Sequence, residues 1–202
     1  MMPLPRIEMT IFETILARRS VRRYKARRVD RTTVSILLEA AVHAPTAIHQ
    51  EPWAFVIVQD KQLLQKLSGQ AKPLFMAEAK EIGLEHAGHS FDIFKAPDFN
   101  IFYNASTLIL ICGKTTAPSF EADCWLAAEN LMLAACAMGL GTCVIGSALL
   151  ALNTPETKVA LNIPENFIAV APIVVGYPDD EIAPVIRKNP IILANIPALE
   201  GT

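Results

Sequence analysis

The sequence predicts a domain that mixes helices and strands around one buried helix. Three observations carry this. The stretch from Asp123 to Gly146 opens with a helix in which, from Cys124 to Met138, only Glu129 and Asn130 are polar. A helix apolar on nearly every side must be buried in a core, an interface or a bilayer. Three further runs, Trp53 to Val58, Ser106 to Cys112 and Phe167 to Val175, have the length and composition of buried strands. The third observation is a hydrophobic content of 52% with a positive mean hydropathy of +0.33, yet no uncharged apolar run long enough to span a bilayer, which takes roughly 20 residues. The apolar excess therefore points to a large subunit interface and not to a membrane.

Taken in order, Thr10 to Glu13 fits a capping box opening a helix with Ile11, Phe12, Ile15 and Leu16 on one face. A basic segment follows, Arg18-Arg19-Ser20-Val21-Arg22-Arg23-Tyr24. Residues 1–31 hold nine of the eighteen Lys and Arg side chains against three acidic ones, a local charge of +6 in a chain of net charge -2. A second helix runs from Asp30 to Ala44, with Val34, Leu37, Leu38 and Ala41 at helical spacing, and stops at Pro45. Residues Pro45 to Pro52 form a loop, and Trp53 to Val58 reads as a strand buried on both faces.

Asp60 caps a helix carrying Leu63, Leu64 and Leu67. Residues 73–104 are ambiguous: Pro73 to Glu85 has helical character, and Ala87 to Tyr103 reads as a mobile lid or a second face of a pocket. After the strand ending at Cys112 and the buried helix, Gly139 sits where a helix stops. Thr142 to Ile145 is a short strand ending at Gly146. Thr154-Pro155-Glu156 starts another helix ending near Asn162. The strand Phe167 to Val175 should bend or bulge at Pro172. Gly176 to Asp179 is a turn, and the apolar tail Pro190 to Pro197 has little chain left to pack on. At 202 residues the expectation is one domain over 1–202, with an ordered core from about residue 10 to residue 193.

The near-neutral charge argues against the whole chain being a polyanion binder. Cys112, Cys124, Cys136 and Cys143 form no C-x-x-C pair and read as buried free thiols. With no signal-peptide apolar region in Met1 to Thr10, the expected location is cytoplasmic.

Three signals bear on chemistry. Arg18, Arg19, Ser20 and Arg22 offer guanidinium forks and a hydroxyl suited to phosphate oxygens. They follow a helix C-terminus, so side chains and not the helix dipole would have to bind an anion. On composition alone the cluster reads first as a solvated helix end, and nucleic-acid binding is disfavoured by the single short stretch. The loop with Thr46, His49 and Glu51 leads into a strand, a usual place for a ligand site but also for an ordinary connection. The glycines at 139, 141 and 146 do not form G-x-G-x-x-G, because Val144 holds the last position and a strand follows instead of a helix. His86-x-x-His89 lacks the further ligands of a metal shell, so no metal is expected.

In this order the motifs resemble the FMN-dependent nitroreductase family. The matching stretches are Arg18 to Arg22, Ala44-Pro45-Thr46 through Pro52-Trp53-Ala54-Phe55, Ala135 to Gly146, Gly176-Tyr177-Pro178, and Arg187-Lys188, together spanning Ile11 to Leu193. The resemblance implies an α+β fold: a small, mostly antiparallel sheet wrapped by helices, in an intertwined homodimer with FMN at the interface. It implies that Arg18, Arg19, Ser20 and Arg22 hold the FMN phosphate and ribityl chain, with Arg187 or Lys188 closing the phosphate site. Pro45, Thr46 and His49 would line the flavin of the other subunit, and Ile145 and Gly146 would bring a backbone N–H near flavin N5. Gly146 is the sharper of these two, its missing side chain letting backbone approach the ring.

The implied activity is ping-pong hydride transfer from NADH or NADPH through the flavin to a small electron-poor acceptor such as a nitroaromatic or quinone. No side chain is required as general acid, so no catalytic residue is named. No nucleic-acid or membrane partner is implied. An FMN-binding protein without turnover, serving storage, sensing or sequestration, is the alternative from another class. Reductive dehalogenation and flavin cleavage are alternatives within enzymes. Where the family shows Asn and Gln before Pro-Trp, this chain has His49 and Glu51. An ionised carboxylate can only accept hydrogen bonds, and the pair is expected to adjust the flavin potential.

Overall fold

The computed structural model describes residues 9–83, 91–180, 183 and 185–196. Its centre is a pair of long strands, β2 (Thr107–Lys114) and β4 (Phe167–Gly176), antiparallel and buried along almost their whole length. β1 (Trp53–Val58) pairs antiparallel with β2, and β3 (Gly141–Val144) with β4, giving a four-stranded sheet in the order β1-β2-β4-β3. Apolar side chains alternate across it as the pleat demands. Leu108 and Leu110 join one buried cluster with Leu64, Leu67, Phe102 and Leu152. Ile109 and Ile111 join the opposite one with Leu37, Ala41, Ala127 and Leu131.

The second layer is made by α2 (Arg31–Val42) and α4 (Phe120–Ala137), the first by α3 (Lys61–Glu81) and the short α5 (Leu149–Leu152). α1 (Ile11–Ala17) and α6 (Pro155–Ala160) complete the set. Local chemistry starts the helices where the sequence predicts. Thr10 and Glu13 form the reciprocal capping box, and the Asp30, Asp60 and Thr154 side chains accept from Thr33, Leu63 and Thr157 N–H. Gly139 takes φ +72 as α4 ends, a conformation that costs a glycine nothing.

Four differences from the sequence reading have physical causes. β1 is an edge strand: Trp53 to Val56 are half-buried, Ile57 is exposed and only Val58 is fully buried. An apolar run reports composition, not which edge of a sheet it occupies. The helix that Asp60 caps and the helical stretch from Pro73 are one element: α3 runs unbroken through Pro73 to Glu81. A mid-helix proline removes one backbone bond and crowds the carbonyl four residues earlier. Here that residue is Gly69, exposed and free of neighbours where a Cβ would be. Beyond the proline, the Lys72 ammonium donates to the Ala96 and Phe99 carbonyls, and Phe75 packs on Phe91 and Phe94. The predicted lid over 87–103 is described only from residue 91, and its first part lies outside the described residues.

The bulge in β4 falls at Val170, two residues before Pro172: Ile111 faces Ala171 and Cys112 faces Ala169. Asn153 closes the gap, its amide donating to the Ala169 carbonyl at 3.0 Å and accepting the Ala169 N–H at 2.8 Å. Finally, α1 touches α4 through the buried Thr14 but leaves most of its apolar face uncovered. Ile11, Phe12, Ile15 and Leu16 are 49–76% exposed, and Trp125 and Leu126 of the apolar α4 are also exposed.

Candidate functional site

The basic segment leaves α1 at Arg18 and runs extended beside β3. The Val21 N–H donates to the Thr142 carbonyl at 2.9 Å, and Ser20 bridges Thr142. Val21 fits only because residue 141 is glycine; a Cβ there would lie 2.5 Å from Val21 Cγ2. Tyr24 fixes the far end. Its hydroxyl donates to the Val21 carbonyl at 2.7 Å and its ring covers Gly176, while Lys25 N–H reaches the Tyr177 carbonyl. Burial pushes the Tyr24 phenol well above its ordinary range.

The segment is thus a clamped strand-like arm with side chains turned different ways. The Arg19 guanidinium donates through Nη1 to the Leu16 and Arg18 carbonyls, and its Nε is buried with no partner. Arg18 lies 3.6 Å from the Glu129 carboxylate of α4. Ser20 and Arg22 are exposed; the Arg22 guanidinium sits 6.0 Å from the Tyr103 ring centre and has no carboxylate within ion-pair reach among the described residues. Cys143 lies below; burial raises its thiol pKa, against the pull of Arg22 and Ser20.

β3 ends beside this arm. The Ile145 N–H donates to the Pro172 carbonyl at 2.8 Å and is thereby committed to the sheet. Gly146, the next residue, is exposed; its N–H has no acceptor among the described residues, and nothing lies within 4 Å of where its Cβ would be. Of the two residues named from sequence, Gly146 alone offers a free backbone donor.

The Pro45–Pro52 loop lies elsewhere. Ile48, His49 and Glu51 take φ of 46°, 55° and 44°. Left-handed backbone is strained for L residues, most of all for a β-branched one, and such strain clusters at functional sites. Asp123, buried in the first turn of α4, accepts the Ala47 N–H with both oxygens, at 3.1 and 3.3 Å. Pro45, His49 and Glu51 are exposed and Thr46 half-buried. Asp123 and Glu129, to which the loop and the arm attach, are six residues apart on α4, roughly 9 Å along its axis. No hydrogen bond or ion pair among the described residues joins the loop to the Arg18–Arg22 arm. Arg187 and Lys188 are exposed on the irregular segment 185–196, likewise without a bond to that arm.

No three His, Cys, Asp or Glu side chains gather as a metal site would need among the described residues; His86 and His89 lie outside them. No helix among the described residues is long and apolar enough to cross a membrane.

Sequence reasoning missed the tether at Asp123. The available signal was an acid opening an otherwise apolar helix, which also has the simpler reading of a favourable helix-dipole contact. It also missed Tyr103 beside Arg22, a neighbour that no local pattern announces.

Comparison with known proteins accords with this geometry. An Archaeoglobus fulgidus protein, provisionally named NADH dehydrogenase/NAD(P)H nitroreductase, is 29% identical over 172 residues, 83% of this chain and 84% of that one. A Thermotoga neapolitana iodotyrosine deiodinase is 26% identical over 187 residues, covering 91% and 96%. The crystal structure of a Bacteroides fragilis nitroreductase with bound FMN superposes with a TM-score of 0.72 at 28% identity, covering 94% of this chain and 98% of that one. The family model described as "Nitroreductase family" matches residues 15–177, from the last turn of α1 to the turn that holds Tyr24, and on this match the chain belongs to the nitroreductase family.

Proposed function

We propose that this protein is an FMN-dependent oxidoreductase that takes reducing equivalents from NADH or NADPH and passes them to a small electron-poor acceptor, such as a nitroaromatic or a quinone. The observation that carries the reading is the extended arm Arg18–Arg22 clamped to Thr142 of β3, the strand that leads on to the free backbone N–H of Gly146. The residues present fit the group. A phosphate needs multiple cationic donors, and the arm offers Arg22 unpaired, Ser20 exposed and Arg19 with a buried Nε lacking a partner. The space over Gly146 admits a planar ring that any side chain would obstruct.

When bound, FMN supplies the hydride chemistry. The chain's own part is to bind and orient. Arg18, Arg19, Ser20 and Arg22 hold the phosphate and ribityl chain, with Arg187 or Lys188 closing that site. The Gly146 N–H would donate toward the bound ring. Pro45, Thr46 and His49 line the ring in the second subunit of a homodimer. No side chain acts as general acid in this reading.

The homodimer is part of the proposal. Supporting it are the outward apolar face of α1, the exposed Trp125 and Leu126, and the tail in which Ile186, Ile191 and Leu193 are 87–98% exposed. Leaving so large an apolar surface in water is unfavourable for a lone chain. The loop's attachment to α4, separate from the arm, suits a site completed by two copies. We place the protein, whole chain as one flavin-binding unit, in the cytoplasm.

Initial-rate kinetics with NADH or NADPH and a quinone test the reading. Parallel double-reciprocal lines are expected, because the reductant must leave before the acceptor enters. Flavin binding with no NAD(P)H oxidation across nitroaromatic and quinone acceptors would instead favour a flavin-binding protein without turnover. The Thermotoga relative's name makes a halogenated phenol the acceptor to include alongside them.

A further inference from the structure

The flavin reading uses three of the nine cationic side chains in residues 1–31. Of the six left over, the fold gathers Lys25, Arg27 and Arg28 with Lys61 around a cavity of about 410 Å³. None of the residues assigned to the flavin lines it. Its wall also takes in Tyr24, Ala26, Gln59 and Leu64, with Asn100, Phe102 and Asn104 to Ser106 on the facing stretch.

Two of the four cations are held in place. Arg28 donates through Nε and Nη2 to Gln59 Oε1, at 3.1 and 2.8 Å. Gln59 is itself locked, its amide donating to the Val29 carbonyl and Thr107 Oγ1. Arg27 stacks on Tyr177, its guanidinium carbon 4.0 Å from the ring centre. Lys25 and Lys61 have no side-chain bond within the chain among the described residues.

No carboxylate lines the cavity, and none of the four cations is in an ion pair among the described residues. The nearest acids in sequence are turned to other work: Asp30 holds the Thr33 N–H and hydroxyl, and Asp60 holds the Leu63 N–H. The cavity therefore concentrates positive charge with nothing in the chain to neutralise it, which raises the local concentration of anions. Tyr103 and Asn104 take φ of 53° and 54°, and this turn places the exposed Asn104 on the cavity wall.

We propose that this cavity binds a small organic phosphate, of nucleotide size, at a site separate from the flavin. Guanidinium and ammonium groups supply charge-assisted hydrogen bonds to the phosphate oxygens. Asn104 and Ser106 supply neutral donors and acceptors for a sugar hydroxyl. The volume lies in the range of about 300–1,000 Å³ usual for small-ligand sites. The shared chemistry is the phosphate. It can belong to a free mononucleotide or to the adenylate end of a dinucleotide, and the inference stands whether or not the chain binds FMN.

The test is calorimetric titration of the purified protein, with and without saturating FMN, using ADP, 2′,5′-ADP and inorganic pyrophosphate as probes at low salt. One saturable site for ADP or 2′,5′-ADP is expected, unaffected by FMN. Tighter binding of 2′,5′-ADP points to a dinucleotide source and tighter binding of ADP to a free nucleotide. Lys25→Gln and Lys61→Gln, which break no bond within the chain, should each weaken binding about tenfold, the loss of one charge-assisted contact, with melting temperature and flavin content unchanged. The proposal is overturned by the absence of binding up to about millimolar probe, by displacement of the probe by FMN, or by full affinity in both variants. Binding of duplex DNA without binding of any small probe overturns it as well, since that marks a surface polyanion patch.

Discussion

The two carboxylate oxygens of Asp123 accept one backbone N–H, that of Ala47, at 3.1 and 3.3 Å. This contact ties a strained loop to the apolar helix α4. Ile48, His49 and Glu51 keep left-handed φ just beyond it. Strain of that kind persists only where surrounding contacts over-determine it. Asp123→Ala leaves a part-buried N–H without an acceptor and should destabilise the fold by about 1–3 kcal/mol. Asp123→Asn, which keeps one carbonyl oxygen, should cost less. Urea unfolding measures both. Equal stability of Asp123→Ala and wild type would mean the loop holds itself.

Gly141 and Gly146 should answer substitution in opposite ways. A methyl at 141 meets Val21 at 2.5 Å, inside van der Waals contact, and must push the basic arm off β3. Gly141→Ala is expected to lower the melting temperature, by an overpacking cost of about 1–3 kcal/mol. Position 146 has open space and no positive φ. Gly146→Val should therefore melt like wild type yet bind FMN more weakly or be reduced more slowly. Wild-type flavin affinity and reduction rate in that variant would remove the role assigned to the Gly146 N–H.

Burial pushes the Cys112 and Cys124 thiols from an ordinary 9.0 up to about 12. A folded pKa above the unfolded one means that stability is fully present below pH 9 and falls as pH rises toward 12, because the unfolded chain sheds those protons first. Denaturant melts between pH 8 and 11 should show this loss, and a Cys112→Ala/Cys124→Ala variant should show a smaller one. The slope should not vanish, since the buried Tyr24 phenol acts in the same sense. Below pH 8 native thiols at 112 and 124 should resist alkylation, which mass spectrometry reads directly.

His49 and Glu51 are exposed on the strained loop, and the proposed dimer would bring them to the flavin of the second subunit. A carboxylate near the ring opposes the anionic reduced form, whereas a protonated imidazole favours it. Glu51→Gln should raise the FMN midpoint potential and His49→Asn should lower it. Unchanged potentials in both variants would show that the pair does not act on the flavin.

Much of this was legible because it is local or periodic. Thr10 and Glu13, three residues apart, announce their own capping box, and the alternation of Leu108 to Ile111 announces a strand with two buried faces. The apolar α4 could be recognised as buried, although Trp125 and Leu126 emerge exposed in the single chain. What stayed hidden was set by distant partners. Nothing near Trp53 reveals that β1 forms an edge. Nothing near Asn153 reveals that its amide patches the bulge at Val170, sixteen residues from Ala169 along the chain. The site divides the same way. The basic arm and Gly146 were readable as positions, but the commitment of the Ile145 N–H to Pro172 depends on strand register, which is a property of the sheet and not of the segment.

The central claim is that the arm and Gly146 build a working flavin site. Its most direct test is the visible spectrum of the purified, FMN-reconstituted protein during anaerobic titration with NADH and with NADPH. The account predicts one FMN per chain, bleached stoichiometrically by at least one of the two nucleotides. A protein that retains no FMN after reconstitution, or whose bound flavin neither nucleotide reduces, would contradict it.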